Sequence, residues 1–262
     1  MSSMSLDVIT SRDNPWVKQL RVLAQDGTAY RKQGQVWLEG DHLCRALLAR
    51  QQLPVAVVLA ESRASAADAW GLPPSVRRVV LADRLMAWVS GLESPAPVGC
   101  VFKLPQDMSV RPGVATVVLD RLQDPGNVGS ILRSAAAFGF KQVVALKGTA
   151  ALWSPKVLRA GMGAHFGLHL VEVAAEESLE ALSVPLVATS SHGGDVLHQA
   201  ALPWPCAWLL GHEGQGVSDA LIARADRLVR IAQPGGEESL NVAAAAAICL
   251  HASATSANLS AN

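Results

Sequence analysis

The 262-residue sequence predicts an α/β protein in which a parallel sheet is covered by helices and is preceded by a smaller α/β unit. Three observations predict it. From Ala115 onward the apolar runs are continuous rather than alternating, as strands buried on both faces require. Helix-like segments separate most of these runs, which is the spacing of crossover connections. A break in composition at Ser90–Gly99, SGLESPAPVG, interrupts every periodic pattern with two prolines, two glycines and small polar residues. The domain boundary is placed there, giving units of residues 1–98 and 99–262, and no internal repeat or low-complexity tract is evident.

The elements follow in order. Asn14–Ala24 has the apolar spacing of a helix, Val36–Glu39 is a short strand, His42–Arg50 a helix and Val55–Ala60 a buried strand. Arg77–Leu81 is another strand and Ala82–Val89 a helix, completing a small α/β unit. In the second unit, strands are expected at Ala115–Leu119, Gln142–Leu146, Leu168–Val173, Leu186–Thr189, Ala207–Leu210 and Arg227–Ile231. A Pro-Gly turn follows the first of these, and Asn127 is placed to cap a helix running through Arg133 to Phe138.

Composition bounds the function. Half of the residues are hydrophobic, enough for sizeable cores. Lys plus Arg (22) equals Asp plus Glu (22), so bulk charge does not advertise a polyanionic partner, and any such binding must use local patches. Cys44, Cys100, Cys206 and Cys249 are scattered, without a zinc-knuckle pair or a disulfide framework, which points to a reducing cytosol. The start, MSSMSLDVIT, lacks a basic end followed by an apolar run, and the longest apolar stretch, Val242–Leu250, is far below the ~20 residues of a membrane span. A cytoplasmic protein with no membrane association is expected, and no metal-ligand cluster is visible.

Three segments carry the chemistry. LDRLQDPGNVGSILR (119–133), LLGHEGQGVSDAL (209–221) and ESLNVAAAAAI (238–248) each place polar residues in a turn leading into a helix, where side chains and free amides are aimed at a ligand. Singly, each has a plain structural reading. Asn127 reads equally as a helix cap, Ser239 or Asn241 as an N-cap, and GHEGQGVS as a turn in which no Lys-Ser or Lys-Thr follows the second glycine, excluding a P-loop. Asn127 and Arg133 are six residues apart, about 240° around a helical wheel, so periodicity alone does not put them on one face. Gly161, Gly163 and Gly167 precede a strand instead of opening a helix and are read as a helix terminus and turn, not a dinucleotide fingerprint.

In this order and context the three segments resemble the motifs of the SpoU or TrmH family of RNA ribose 2'-O-methyltransferases, of the SPOUT superfamily. The likeness spans residues 112–255, and SRDNPWVKQLRVLA with RKQGQVWLEGDHL resembles the ribosomal-protein-like, RNA substrate-binding domain that often precedes it. The resemblance implies S-adenosylmethionine as methyl donor, no metal, a C-terminal trefoil knot and a homodimer. Carried over by position, Asn127, Arg133, Glu213, Ser239 and Asn241 are the catalytic candidates. The donor cleft would be edged by Thr189 and Ser190, by Leu210, Gly211, His212, Glu213 and Gly216, by Ile231 and Gln233, and by Leu240. Two positions depart from the family pattern: His212 stands where Asn is common, and Ala232-Gln233 replaces the usual Pro-Met.

The residue types suit that chemistry. A sulfonium donor is already electrophilic, so the site must align a ribose hydroxyl and remove or polarise its proton. By resemblance Arg133 serves beside the RNA phosphate, although an always-charged guanidinium is an awkward base, and positioning phosphate or stabilising an alkoxide is an equal reading. Asn127 and Asn241 offer neutral donors and acceptors, and Glu213 either orients the site or takes the proton. For RNA contact, Arg12, Lys18, Arg21, Arg31 and Lys32 stand against Asp13 and Asp26 within residues 12–32, with Arg159 extending the surface. Trp16 and Trp37 are read as core, and His192 as a polar rim residue. Ribosomal RNA is favoured over transfer RNA, and a non-catalytic RNA-binding or ribosome-assembly factor on the same scaffold is the alternative.

Overall fold

Two sheets organise the chain in the computed structural model, which describes residues 6–173, 176–190, 193–235 and 239–260, without the side chains of 66–69 and 257–260. The first unit contains residues up to Gln106 together with Trp153–Phe166; the second contains Asp107–Leu152 and the chain from Gly167 onward. The first unit runs β1 (Asp7–Ile9), α1 (Pro15–Gln25), α2 (Ala29–Gln33), β2 (Gln35–Glu39), α3 (Asp41–Ala49), β3 (Ala56–Ala60), β4 (Arg77–Leu81), α4 (Asp83–Val89) and β5 (Val98–Lys103). Its sheet has the order β1-β4-β3-β5-β2, with β1, β4 and β3 parallel and β5 antiparallel to both of its neighbours.

That topology corrects the boundary expected at residue 98. Gly99, Cys100 and Val101 pair with both β2 and β3, so β5 is an interior strand of the first sheet and the chain leaves the unit only after Gln106. The Pro-rich stretch before it is a loop inside the unit. Strand β1, helix α2 and strand β5 were absent from the sequence expectation; each is short or lies beside Gly and Pro, where periodicity has too few residues to register. The added segment contains α6 (Pro155–Gly161), and within the unit His42 Nε2 meets Met162 O at 3.3 Å while Gln52 Nε2 donates to Phe166 O at 3.1 Å. Helix α6 ends at Gly161, with Met162 in the left-handed cap conformation, so the glycines there serve the expected helix terminus and turn.

The second unit continues with β6 (Thr116–Leu119), α5 (Pro125–Ala137), β7 (Gln142–Ala145), β8 (His169–Glu172), β9 (Leu186–Thr189), β10 (Asp195–Val196), β11 (Ala207–Leu210), α7 (Asp219–Arg224), β12 (Arg227–Arg230) and α8 (Val242–Ser260). All six pairings in its sheet, ordered β10-β12-β9-β11-β6-β7-β8, are parallel. The six expected strands agree to within two residues at each end. Their side chains are buried on both faces: Val117, Val118, Leu119, Val143, Val144, Leu209 and Leu210 are all at most 1% exposed, which is why the sequence shows unbroken apolar runs.

Three helices open with the same device, a capping side chain followed by proline at the first helical position. Asn14 caps α1, Asp124 caps α5 through the Asn127 amide at 2.7 Å, and Ser154 caps α6. Asn127 therefore is not the cap expected from sequence; it lies inside the first turn, with its side chain left for other partners. Helix α8 packs on α5, and its buried Ser253 accepts the Trp208 indole N–H of β11 at 2.8 Å. All four cysteines are buried and unpaired.

The Ser253→Ala variant leaves the fully buried Trp208 N–H without an acceptor and is expected to lose about 1–3 kcal/mol of stability in urea unfolding.

Candidate active site

Because every strand of the second sheet points the same way, the loops that follow β6, β9, β11 and β12 emerge at one edge. After β6 the chain passes through α5 to β7 on one side; after β11 it passes through α7 to β12 on the other. Adjacent β6 and β11 thus form a switch point, and in open parallel sheets the crevice at the carboxyl ends of such strands is where ligands bind. The motif loops at Asp120–Asp124 and Gly211–Val217 meet there.

The β11 loop is held in a narrow turn. His212 and Gly216 form an isolated bridge, and Gly214 N donates to His212 Nδ1 at 3.0 Å. A Cβ on Gly211 would lie 2.0 Å from the backbone of Gly216 and of Val217, so no other residue fits. The loop is tied to the β6 turn by buried Asp120, which accepts Ser218 N at 2.7 Å and Arg121 Nε at 2.9 Å; Arg121 in turn donates to Gln215 at 3.0 Å. Thr149 Oγ1 bonds Leu119 O and Ala150 N bonds Leu122 O, bracing the same turn from the β7 side.

This frame carries Glu213 to the mouth of α5. Its carboxylate accepts the amides of Asp124 at 3.1 Å and Gln123 at 3.3 Å, and the Asn127 side-chain amide at 3.3 Å. Asn127 Oδ1 accepts Asn241 Nδ2 at 3.0 Å, and Asn241 Oδ1 caps α8 through the amides of Ala243 and Ala244. Three of the five expected catalytic residues thus form one hydrogen-bonded chain across the three motif segments. Of the two capping candidates, Asn241 is the cap; Ser239 lies exposed two residues before it. Arg133 is exposed on α5 and outside this hydrogen-bonded chain, as the 240° wheel separation expected.

Of the expected donor-cleft residues, Thr189 closes β9 with its hydroxyl 3.5 Å from Leu209 O, Ser190 accepts Gly193 N at 3.2 Å, and Leu210 is buried at the end of β11. Ile231 and Gln233 follow β12, and Leu240 is 40% exposed ahead of α8. Among described residues of the second unit, two buried side-chain oxygens lack a partner, Ser218 Oγ and Gln233 Oε1, and both follow strands at this edge. Exposed Leu240, half-buried Ile231 and the two unpartnered oxygens offer both apolar and polar contacts to a ligand among the described residues. His192 lies outside the described residues. Asp120, Arg121 and Gln215, which lock the frame, were missed by sequence reasoning; the left-handed φ of 60° at Arg121 has no sequence signal in a non-glycine residue.

In the first unit the basic set is partly engaged. Lys18 pairs with exposed Asp13 at 3.1 Å, and Arg21 lies over the Trp88 ring at 4.4 Å while donating to Trp88 O. Arg12 also faces Trp88 at 5.6 Å, Arg31 lies over Tyr30, Lys32 is exposed and Arg159 half-buried. Trp37 is core, as expected, and Trp16 packs half-buried against the core beneath the Arg77 guanidinium. No group of three or more metal-ligating side chains occurs among the described residues, and none of the described helices is long and apolar enough to cross a membrane.

A protein-family comparison matches residues 115–251 to the SpoU rRNA Methylase family. An uncharacterised tRNA/rRNA methyltransferase of Synechocystis is 34% identical over 263 aligned residues, covering 93% of this chain and 92% of that protein. The 23S rRNA (guanosine(2553)-2'-O)-methyltransferase RlmP of Bacillus subtilis is 28% identical, covering 82% and 86%. The crystal structure of an AdoMet-bound rRNA methyltransferase from Sinorhizobium meliloti superposes with a TM-score of 0.80 at 26% identity, over 95% of this chain and 97% of that one. A parallel sheet with a switch-point site, together with these matches, defines an RNA methyltransferase. The chain belongs to the SpoU rRNA methylase family.

Glu213 also has a pH signature. Burial pushes its carboxyl up, but hydrogen bonds from its own amide, from Asp124 N, from the Asn127 side chain and from Gln123 N outweigh burial and hold it below its ordinary value. A lowered folded-state pKa stabilises the fold above the ordinary carboxylate range and ceases to do so as pH falls through the lowered value. The melting-temperature gap between wild type and Glu213→Ala is therefore expected to be full near neutrality and to close in acid; a gap that widens in acid would contradict it.

Proposed function

We propose that this protein transfers a methyl group from S-adenosylmethionine to a ribose 2'-hydroxyl of structured RNA, with ribosomal RNA favoured over transfer RNA. The observation that carries the reading is the Asn241–Asn127–Glu213 chain, which unites all three motif segments at the switch point. Both the family description and the name of the Bacillus relative point to ribosomal RNA. When bound, the donor supplies an activated methyl group for in-line displacement.

The residues of this chain do the rest. Asn127 and Asn241 hold the loops at fixed spacing and offer amide groups to the ribose. Glu213, kept ionised and satisfied by four amide donors, orients the loop instead of taking the proton. Arg133, free on the surface of α5, binds the RNA phosphate and stabilises negative charge growing on the attacking oxygen. Thr189, Ser190, Leu210, Gly211, His212, Gly216, Ile231, Gln233 and Leu240 edge the donor cleft. The first unit binds the RNA substrate through Arg12, Lys32 and their neighbours. A trefoil knot in the second unit, a homodimer formed through it and a cytosolic setting belong to the same reading.

Tritiated donor incubated with total RNA tests it: label is expected in alkali-resistant dinucleotides, and label confined to bases would overturn it. Arg133→Ala should leave donor affinity intact and cut single-turnover methylation by at least ~100-fold. Asn241→Ala, which uncouples Asn127 and uncaps α8, should weaken donor binding in calorimetry as well as slow transfer.

A further inference from the structure

A cavity of about 460 Å³ opens within the first unit, lined by Thr10, Ser11, Arg12, Arg84 and Leu85. Strand pairing creates it. β1 and β4 are parallel neighbours with Ile9 opposite Leu81, and Ala82 N donates to Ile9 O at 3.3 Å, so the chain leaves both strands at one edge of the sheet. Thr10, Ser11 and Arg12 follow β1, and Arg84 and Leu85 lie in the first turn of α4. Two hydroxyl residues and two arginines therefore surround one opening, with Leu85 buried beside them.

The fold leaves the charge of this cavity unanswered. The acids adjoining the two arginines in sequence are engaged elsewhere: Asp13 pairs with Lys18 at 3.1 Å, and Asp83 accepts the Ser62 amide at 3.1 Å and its hydroxyl at 3.0 Å. Asp7, at the start of β1, pairs with Arg77 at 2.8 Å. Neither Arg12 nor Arg84 has a carboxylate partner among the described residues. Arg12 instead faces the Trp88 ring at 5.6 Å, a ring that Arg21 also covers at 4.4 Å. Ser11 Oγ accepts Asp13 N at 3.1 Å, which leaves its O–H to donate. Two like charges around one cavity repel each other, and an anion between them turns that repulsion into attraction. Guanidinium forks and a hydroxyl donor match the oxygens of a phosphate. Resting on the reading of RNA as substrate, and narrowing it to one contact, we infer that this cavity is a phosphate subsite in which Arg12 and Arg84 grip a single backbone phosphate of the RNA and the Ser11 hydroxyl donates to it. Phosphate contacts carry no base information, so the subsite sets the position of the RNA on the first unit without choosing its sequence.

Binding of total ribosomal RNA to the full chain, measured over a range of salt concentrations, tests this. Arg12→Gln and Arg84→Gln should each weaken binding about fivefold at low salt, the upper end for an exposed ion pair. Because both arginines serve one phosphate, the double variant should lower the slope of log affinity against log salt by about one. Both side chains are exposed, so the ligand-free melting temperature should stay at the wild-type value. A slope lowered by about two, as two independent surface cations give, would overturn the inference, and so would an unchanged slope. Calorimetric binding of inorganic phosphate that is lost in the double variant, while binding of ribosomal RNA stays at the wild-type level, would make this a small-anion site and overturn the RNA assignment. Wild type binding no ribosomal RNA would overturn the substrate reading itself, and this inference with it.

Discussion

One carboxylate holds the site together. Glu213 is separated from Asn127 by 86 residues, yet its two oxygens gather the Gln123 and Asp124 amides and the Asn127 side chain into a single cluster. An ionised acceptor bonded to several N–H groups makes stronger bonds than a neutral one, and those amides are otherwise unsatisfied at the start of α5. Removing the carboxylate releases the first motif from the second, and through Asn127 it releases Asn241 and the entry to α8. Three of the five catalytic candidates, Asn127, Glu213 and Asn241, thus depend on one another structurally before any chemistry begins.

Beneath this cluster lies a second tie of a different kind. Asp120 is 1% exposed and satisfied by Ser218 N and by Arg121, whose backbone adopts a left-handed conformation. A buried carboxylate is costly unless paired, and here the pairing fixes the end of the β11 loop at Ser218 and, through Arg121, its middle at Gln215. Gly211 completes the arrangement, because the loop closes on its own backbone at a distance that excludes any side chain. The glycine-rich motif is therefore a steric necessity of the turn, whatever the ligand.

A division of labour follows in the second unit. The sheet edge brings the β6 and β11 turns together at the switch point, where open parallel sheets bind small ligands. Arg133 stays outside the cluster, exposed on α5, where a charged group can meet a large polyanion without paying for burial. Lys plus Arg equals Asp plus Glu over the whole chain, and in the first unit Arg12 and Arg21 rest on the Trp88 ring.

Sequence alone determined the parallel strands, since burial on both faces forces continuous apolar runs, and it determined the motif segments, since only certain residues tolerate those turns. It misplaced what depends on partners far along the chain. Strand β5 looked like part of a second domain because proline and glycine precede it, yet its place is decided by pairing with β2 and β3. Asn127 looked like a cap because its side chain suits that role, but Asp124 stands at the cap position, freeing Asn127 for Glu213 and Asn241. The tertiary structure alone decided that the motif loops converge, because the parallel strand order β12-β9-β11-β6 puts the carboxyl ends of β12, β11 and β6 at one edge, and strand order is a property of long-range pairing that no local pattern encodes.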